Sequence, residues 1–275
     1  MEKRLLAALM WAMALVGGSV AAEPVYSFGV VPQQAAAESA LRWTPLLRYL
    51  ERRCGVALRF KTAPDIPEFE RRLAQGEYDF AYMNPYHYVV LGRKQGYRAF
   101  AREKGVRLQG VLVVRKDSPI RDIHELDGLE LAFPAPAAFA ASVLPRMQLQ
   151  QLGIAFTPHF VASHDSVYLS VVRGLYPAGG GVVRTLNSAP PDIRDQLRVL
   201  WRTDSYTPHP LVAHPRVAEA VRRALANALY AMDADPDAAD ILRNLSMAGW
   251  EAGKDEDWDD LRALPLDADM APLGH

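Results

Sequence analysis

The chain has 275 residues, half of them apolar, with 31 Lys and Arg against 32 Asp and Glu and a formal net charge of −1. So much apolar content fills a core and excludes wholesale disorder, and the near-neutral balance argues against a nucleic-acid partner, which calls for a basic excess. A single cysteine, Cys54, excludes an internal disulfide framework and any Cys-rich metal site.

Glu2, Lys3 and Arg4 precede twelve consecutive apolar residues, Leu5 to Val16, and small residues follow as far as Ala21-Ala22 before Glu23-Pro24. A basic start, a short apolar stretch and small residues at its end form the pattern of a secretory signal peptide, cleaved near Ala22. A spanning helix needs about 20 apolar residues, which disfavours an uncleaved anchor. Val25–Val31 then reads as a buried strand. Thr44 and Pro45 resemble the N-cap and first turn of a helix that places Trp43, Leu46, Leu47, Leu50 and Cys54 on one face and stops at Gly55. Val56–Phe60 is a second strand, Ile66–Gln75 a short amphipathic helix, Phe80–Met83 a third strand, and Pro85 opens another helix.

The alternation then restarts. Leu108–Arg115 and Leu129–Phe133 read as strands, Ala137–Leu152 as a helix and Phe160-Val161 as the end of a strand. Ser163–Gly174 is a helix, Gly181–Val183 a short strand and Leu197–Trp201 a last one. Helices follow over Val217–Met232 and Ala238–Leu245. Strand–helix alternation is the signature of a parallel sheet covered on both faces. Two such units within the length of this chain pack as paired lobes.

Ligands of open α/β sheets bind beyond the carboxyl ends of the strands, which directs attention to four segments. Tyr82, Asn84 and Tyr86 follow the third strand and offer flat apolar walls with an amide, although a strand end and helix cap explain them equally well. The Phe133–Ser142 turn has almost no polar side chain. A helix starting near Ala137 would turn its free N–H groups towards the cleft, and close alanine packing is the plainer alternative. Ser163 and Asp165 suit an N-cap, whereas His164 suits contact with a ligand. Gly179-Gly180-Gly181 lets the backbone approach something closely, and Arg184 just beyond it suits a carboxylate or phosphate partner, or simply the surface. Ser163, His164 and Asp165 are adjacent and cannot converge as a catalytic triad. The chain carries no Gly-x-Ser-x-Gly elbow, phosphate-binding Gly-Lys-Ser/Thr loop or His-Glu-x-x-His. No enzyme, cofactor or metal site is therefore expected.

Trp43-Thr44-Pro45-Leu46, Gly76-x-x-Asp79-x-Ala81, Lys116-Asp117-Ser118-Pro119-Ile120, Asp127-Gly128 with Leu131-Ala132-Phe133, Pro145, the Ser163-His164 turn and Leu197-Arg198-Val199-Leu200-Trp201 occur in that order. This ordered set is similar to the periplasmic phosphate-, phosphite- and phosphonate-binding proteins of ABC importers. The resemblance runs from about residue 26 to 230 and implies a two-lobed type II binding fold, α/β, with each lobe a mostly parallel sheet flanked by helices. The expected division is a signal peptide over 1–22, lobe 1 over 23–112 and 206–275, and lobe 2 over 113–205. The resemblance places the family's anion-binding hydroxyls at Ala138 and Phe139, a family tyrosine near Ile66, and an acidic residue that holds a ligand amine near His209. Only His164 keeps its family identity.

The expected ligand site accordingly comprises Tyr82, Asn84, Tyr86, Ala138, Phe139, Ser163, His164, Arg184, Tyr206 and His209, suited to a phosphonate-like or other organic anion or zwitterion. The expected partner is an ABC permease in the bacterial envelope, with the protein periplasmic and monomeric. Presentation of the bound state to a membrane sensor is the alternative, and a secreted hydrolase using His164 a remote one.

Overall fold

The computed structural model describes residues 24–266; residues 1–22, where a signal peptide is expected, lie outside the described residues. Eleven strands among them form two sheets. The first contains β1 (Val25–Val30), β2 (Ala57–Lys61), β3 (Phe80–Tyr82), β4 (Arg98–Glu103), β10 (Pro210–Ala213) and β11 (Trp250–Ala252), in the order β11-β4-β10-β3-β1-β2. The second contains β5 (Leu108–Arg115), β6 (Leu129–Phe133), β7 (Phe156–Phe160), β8 (Ala178–Val182) and β9 (Leu197–Tyr206), in the order β7-β6-β8-β5-β9. β1 runs parallel to both β2 and β3, and β6 parallel to both β7 and β8. The exceptions are β10 and β11, which run antiparallel to β4, and β5, which runs antiparallel to β8 and β9.

Most strands of each sheet therefore share one direction, and the reversed β5 and β10 adjoin the two crossings between lobes. The chain leaves the first sheet after Glu103, and the whole of β5 from Leu108 pairs within the second. It returns between Tyr206 and Pro210. The change of sheet thus falls before Leu108 rather than at 112, because β5 pairs with Tyr206 from its first residue. Arg107 ties the crossings together: its guanidinium donates to Ser205 O at 2.9 Å and Thr207 Oγ1 at 3.3 Å.

Alternation along β5 shows why this sheet is buried on both faces. Val111 and Val113 pack into one apolar cluster with Val167 and Val171, while Leu112 and Val114 join another with Phe133 and Leu149. The remaining cluster is the core of lobe 1. It continues across the cleft into Ala137, Phe139 and Leu144 of lobe 2, so apolar contact as well as hydrogen bonding joins the lobes.

The helix around Thr44-Pro45 differs from its expected start. It is α1, a 19-residue helix over Ala36–Cys54, with Pro45 inside it and Gly55 in the left-handed conformation at its end. Proline removes the hydrogen bond to the carbonyl of Leu41, and Leu41 is 71% exposed, on the solvent side of the helix. Trp43, Leu46, Leu47 and Leu50 are buried as their spacing implies, whereas Cys54 is only half-buried. The other long helices are α2 (Ile66–Ala74), α3 (Pro85–Val90), α4 (Leu144–Gln151), α5 (His164–Val172), α6 (Val183–Ser188), α7 (Pro191–Arg194), α8 (Glu219–Tyr230) and α9 (Ala239–Leu245). Among the described residues no helix is long and apolar enough to cross a membrane.

Candidate functional site: a cleft between the lobes

Each strand end that faces the cleft is followed by a capped helix or tight turn. Asn84 ends β3 and caps α3: its Oδ1 accepts from His87 N at 2.8 Å, with Pro85 in the first turn. Its Nδ2 crosses the cleft and donates to Ala137 O at 3.0 Å. In lobe 2, Ser163 caps α5, its Oγ accepting from Ser166 N at 3.1 Å. His164 N donates to Gln33 O in lobe 1 at 3.4 Å.

The turn after β6 carries no capping side chain. Residues Phe139–Val143 form a π-helical turn rather than an α-helix starting at Ala137, and Ala138 O accepts from both Ser142 N and Val143 N. The N–H groups of Phe139, Ala140 and Ala141 stand ahead of Ser142 N, the first donor bonded within the turn. Two glycines hold the turn in place from behind. A β-carbon at Gly110 would lie 2.0 Å from Ala140 O, and one at Gly180 only 1.9 Å from Ala141 O. The glycine run therefore admits the protein's own turn, with Val167 and Tyr168 against Gly179 and Gly181. Arg146 of α4 is buried beneath it and donates to Pro136 O at 2.8 Å and Ser142 Oγ at 3.1 Å.

Between turn and helix caps lies a compartment of about 10 Å³, lined by Gln33, Asn84, Ala138–Ala141, His164 and His209, with Val31, Ile66 and Val182. That is room for about one water molecule in this closed arrangement. Among the described residues no acidic one lines it. Both histidines favour the neutral form. Burial holds His164 down to about 4, while His209 is pushed well below its ordinary value by burial and then by the nearby positive charge of Arg184. His164 Nδ1 lies 3.0 Å from Thr185 Oγ1, and His209 Nε2 lies 3.2 Å from Gln33 Nε2.

The structure thus brings Asn84, Ala138, Phe139, His164 and His209 to one compartment. Tyr82 stands directly behind, its ring stacked on His209 at 5.1 Å, and accepts at its hydroxyl from Arg184 Nη1 at 2.9 Å. The other branch of Arg184 pairs with Glu103 across the lobes. Tyr86, Ser163 and Tyr206 line neither this compartment nor the larger cavity beside it. Tyr86 is buried in α3, Ser163 is occupied as a cap, and Tyr206 meets Phe139 edge-on at 6.0 Å from outside. Gln33 was not anticipated, although it follows the carboxyl end of β1 and the strand-end rule points to it.

Asn84→Ala is expected to lower stability by about 2–3 kcal/mol, since it removes a helix cap and leaves the Ala137 carbonyl without its donor. Thermal unfolding should show a fall of about 4–10 °C for a chain of this size. Asn84→Asp, which keeps the cap but not the amide donor, should recover about half of it. Equal losses in the two variants would rule out the cap as a contributor, and an Asn84→Asp protein as stable as the parent would rule out the cross-lobe bond.

Two lobes of mixed sheet joined by two crossings, with a polar compartment between facing helix ends, define a type II solute-binding protein. The sequence pattern of the family described as "ABC transporter, phosphonate, periplasmic substrate-binding protein" matches residues 28–258, and the chain belongs to that family. It is 22% identical over 264 residues to the phosphonates-binding periplasmic protein of Escherichia coli, covering 90% of this chain and 78% of that one. It is also 22% identical over 200 residues to the phosphate-import protein PhnD of Mycolicibacterium smegmatis. That match covers 65% of this chain and 62% of the mycobacterial protein, less than two thirds of its length. The fold is similar to that of PhnD1 from Prochlorococcus marinus in complex with methylphosphonate, with a TM-score of 0.80 at 16% identity, covering 86% of this chain and 96% of the other.

Proposed function

We propose that this protein is a periplasmic receptor that captures a small organic anion with a phosphonate-like head by lobe closure and delivers it to an ABC permease. The observation that carries this reading is the compartment between the lobes, lined by the alanine-rich turn together with Asn84, Gln33, His164 and His209 and, among the described residues, by no carboxylate. Backbone donors at Phe139–Ala141 take the place of the hydroxyls the family resemblance implies there, so that the anion site is built from main chain. Export with removal of residues 1–22 brings the mature chain to the periplasm. There it acts as a monomer whose lobes, 23–112 with 206–275 and 113–205 apart from the few residues of β5 noted above, close over the ligand.

Thermal unfolding of the chain beginning at Glu23 tests this against phosphate, phosphite, methylphosphonate, 2-aminoethylphosphonate, sulfonates and carboxylates. A ligand at 100 times its Kd adds about 2.7 kcal/mol, which raises the midpoint by about 5–10 °C. A rise with phosphonates is the expected result. A rise confined to carboxylates or sulfonates would replace the ligand class, and no rise with any anion would overturn the reading.

A further inference from the structure

A second cavity of about 340 Å³ adjoins the small compartment, and the two share Gln33, Val182 and His209 as their common wall. The far wall is built from the crossings between the lobes, Arg107–Gln109 and Pro208, together with Arg184 and Asn187 of α6. Its size lies in the range of small-molecule sites, about 300–1,000 Å³, whereas the inner compartment takes only a small head group once the lobes part slightly.

The charges around this outer cavity are unequal. Its lining includes two guanidinium groups, Arg107 and Arg184, and one carboxylate, Glu103. Glu103 is 3% exposed and already paired with Arg184. Arg107 is engaged at Ser205 O and at Asp260 Oδ2, 2.9 Å from each. Both guanidiniums are thus paired, Arg184 with Glu103 and Arg107 with Asp260, and an ammonium group entering here would find no unpaired carboxylate in the lining. An oxyanion would meet Arg184, whose planar guanidinium accepts a second carboxylate partner readily, with the amides of Asn187 and Gln109 on the same wall.

We infer that the outer cavity is the second half of the ligand site and that it selects an organic anion bearing a second anionic arm, a phosphonocarboxylate-type dianion, over amino-substituted phosphonates. This selection rests on the anion-capture reading of the cleft. The head group occupies the compartment at the alanine-rich turn, and the arm passes Gln33 and His209 to compete with Glu103 for Arg184.

Calorimetric titration of the chain beginning at Glu23 with two matched series near neutral pH tests the inference. One is methylphosphonate, phosphonoacetate and 2-aminoethylphosphonate; the other is propionate, succinate and β-alanine. The dianion of a series that binds should be favoured by about tenfold or more over the singly charged acid, the scale of one charge-assisted hydrogen bond. The amino compound should bind weakest. Arg184→Met should remove that advantage, so that the dianion and the singly charged acid of a series bind within about threefold of each other. Glu103→Gln, which releases Arg184, should enlarge it. An amino compound that binds as tightly as the dianion, or an Arg184→Met variant that weakens all members alike, would overturn the inference. A silent phosphonate series beside an ordered carboxylate series would overturn the phosphonate head while leaving the second-anion selection standing, and silence in both would sink both.

Discussion

Gly180→Ala is expected to unseat the alanine-rich turn, lowering stability by about 3 kcal/mol or more and weakening anion binding by more than about tenfold. The new methyl group would sit 1.9 Å from the carbonyl oxygen of Ala141 and 2.7 Å from the ring of Phe133. Backbone of β8 stands on one side of that contact and backbone of the turn on the other, so no flexible side chain can move aside. Overpacked positions usually cost about 1–3 kcal/mol, and a clash between two main chains belongs at the upper end. Any relief pushes the turn outward, carrying the N–H groups of Phe139–Ala141 with it. Thermal unfolding and anion titration of the variant measure the two effects separately. Gly92→Ala, whose added methyl meets nothing nearer than 3.4 Å, is the control and should remain close to the parent. A Gly180→Ala protein as stable as the parent would show that the turn does not rest on β8.

The second large effect is on pH dependence. His164 titrates at about 4 in the folded protein because burial disfavours its charged form, and at about 6.5 when the chain is unfolded. Between those values the unfolded chain binds a proton that the folded chain does not. Stability is therefore full above pH 6.5, is lost as the pH falls through that window, and levels off below about 4. Between pH 7 and pH 5 this single group should remove about 2 kcal/mol. His209, also pushed down chiefly by burial, acts in the same direction. Urea unfolding at pH 7, 6 and 5 reads the slope, and His164→Gln should make it shallower by the share assigned to His164. A variant with the parent's slope would mean that His164 stays exposed enough to protonate in the folded state.

Much of the architecture was legible because the governing signals are local. β-branched and apolar runs marked β1, β5 and β6, the Ser163 cap marked α5, and Gly55 marked the end of α1. β4, β10 and β11 gave no such signal. β4 is three apolar residues flanked by charged ones, β10 is four residues beginning with proline, and β11 has only three; each is a strand because a neighbour in the sheet makes it one. Pro45 misled for a related reason: a proline suits a first helical turn, and only the exposure of Leu41 shows that a helix can run through it. At the site, Asn84 and His164 could be placed from strand-end logic, whereas the Arg184–Glu103 pair depends on how the lobes meet, which no local pattern encodes. Tyr206, expected among the cleft aromatics, is the last residue of β9, where it meets Phe139 edge-on and does not line the compartment.

The pairing of Leu108 with Tyr206 at the mouth of the second sheet has a consequence for how the chain assembles. That sheet is drawn from one unbroken stretch of sequence, whereas β3 waits for β10, which pairs Tyr82 with Leu211 after the whole second lobe has been made. Closing so long a loop is entropically unfavourable and slow. Once β5 and β9 have zipped together, however, the two ends of the excursion emerge side by side. Arg107 and Thr207 are then neighbours, and β10 is delivered next to β3 and β4 over a gap of a few residues. The later lobe thus acts as a folded staple that brings together the two stretches of chain needed to complete the first sheet.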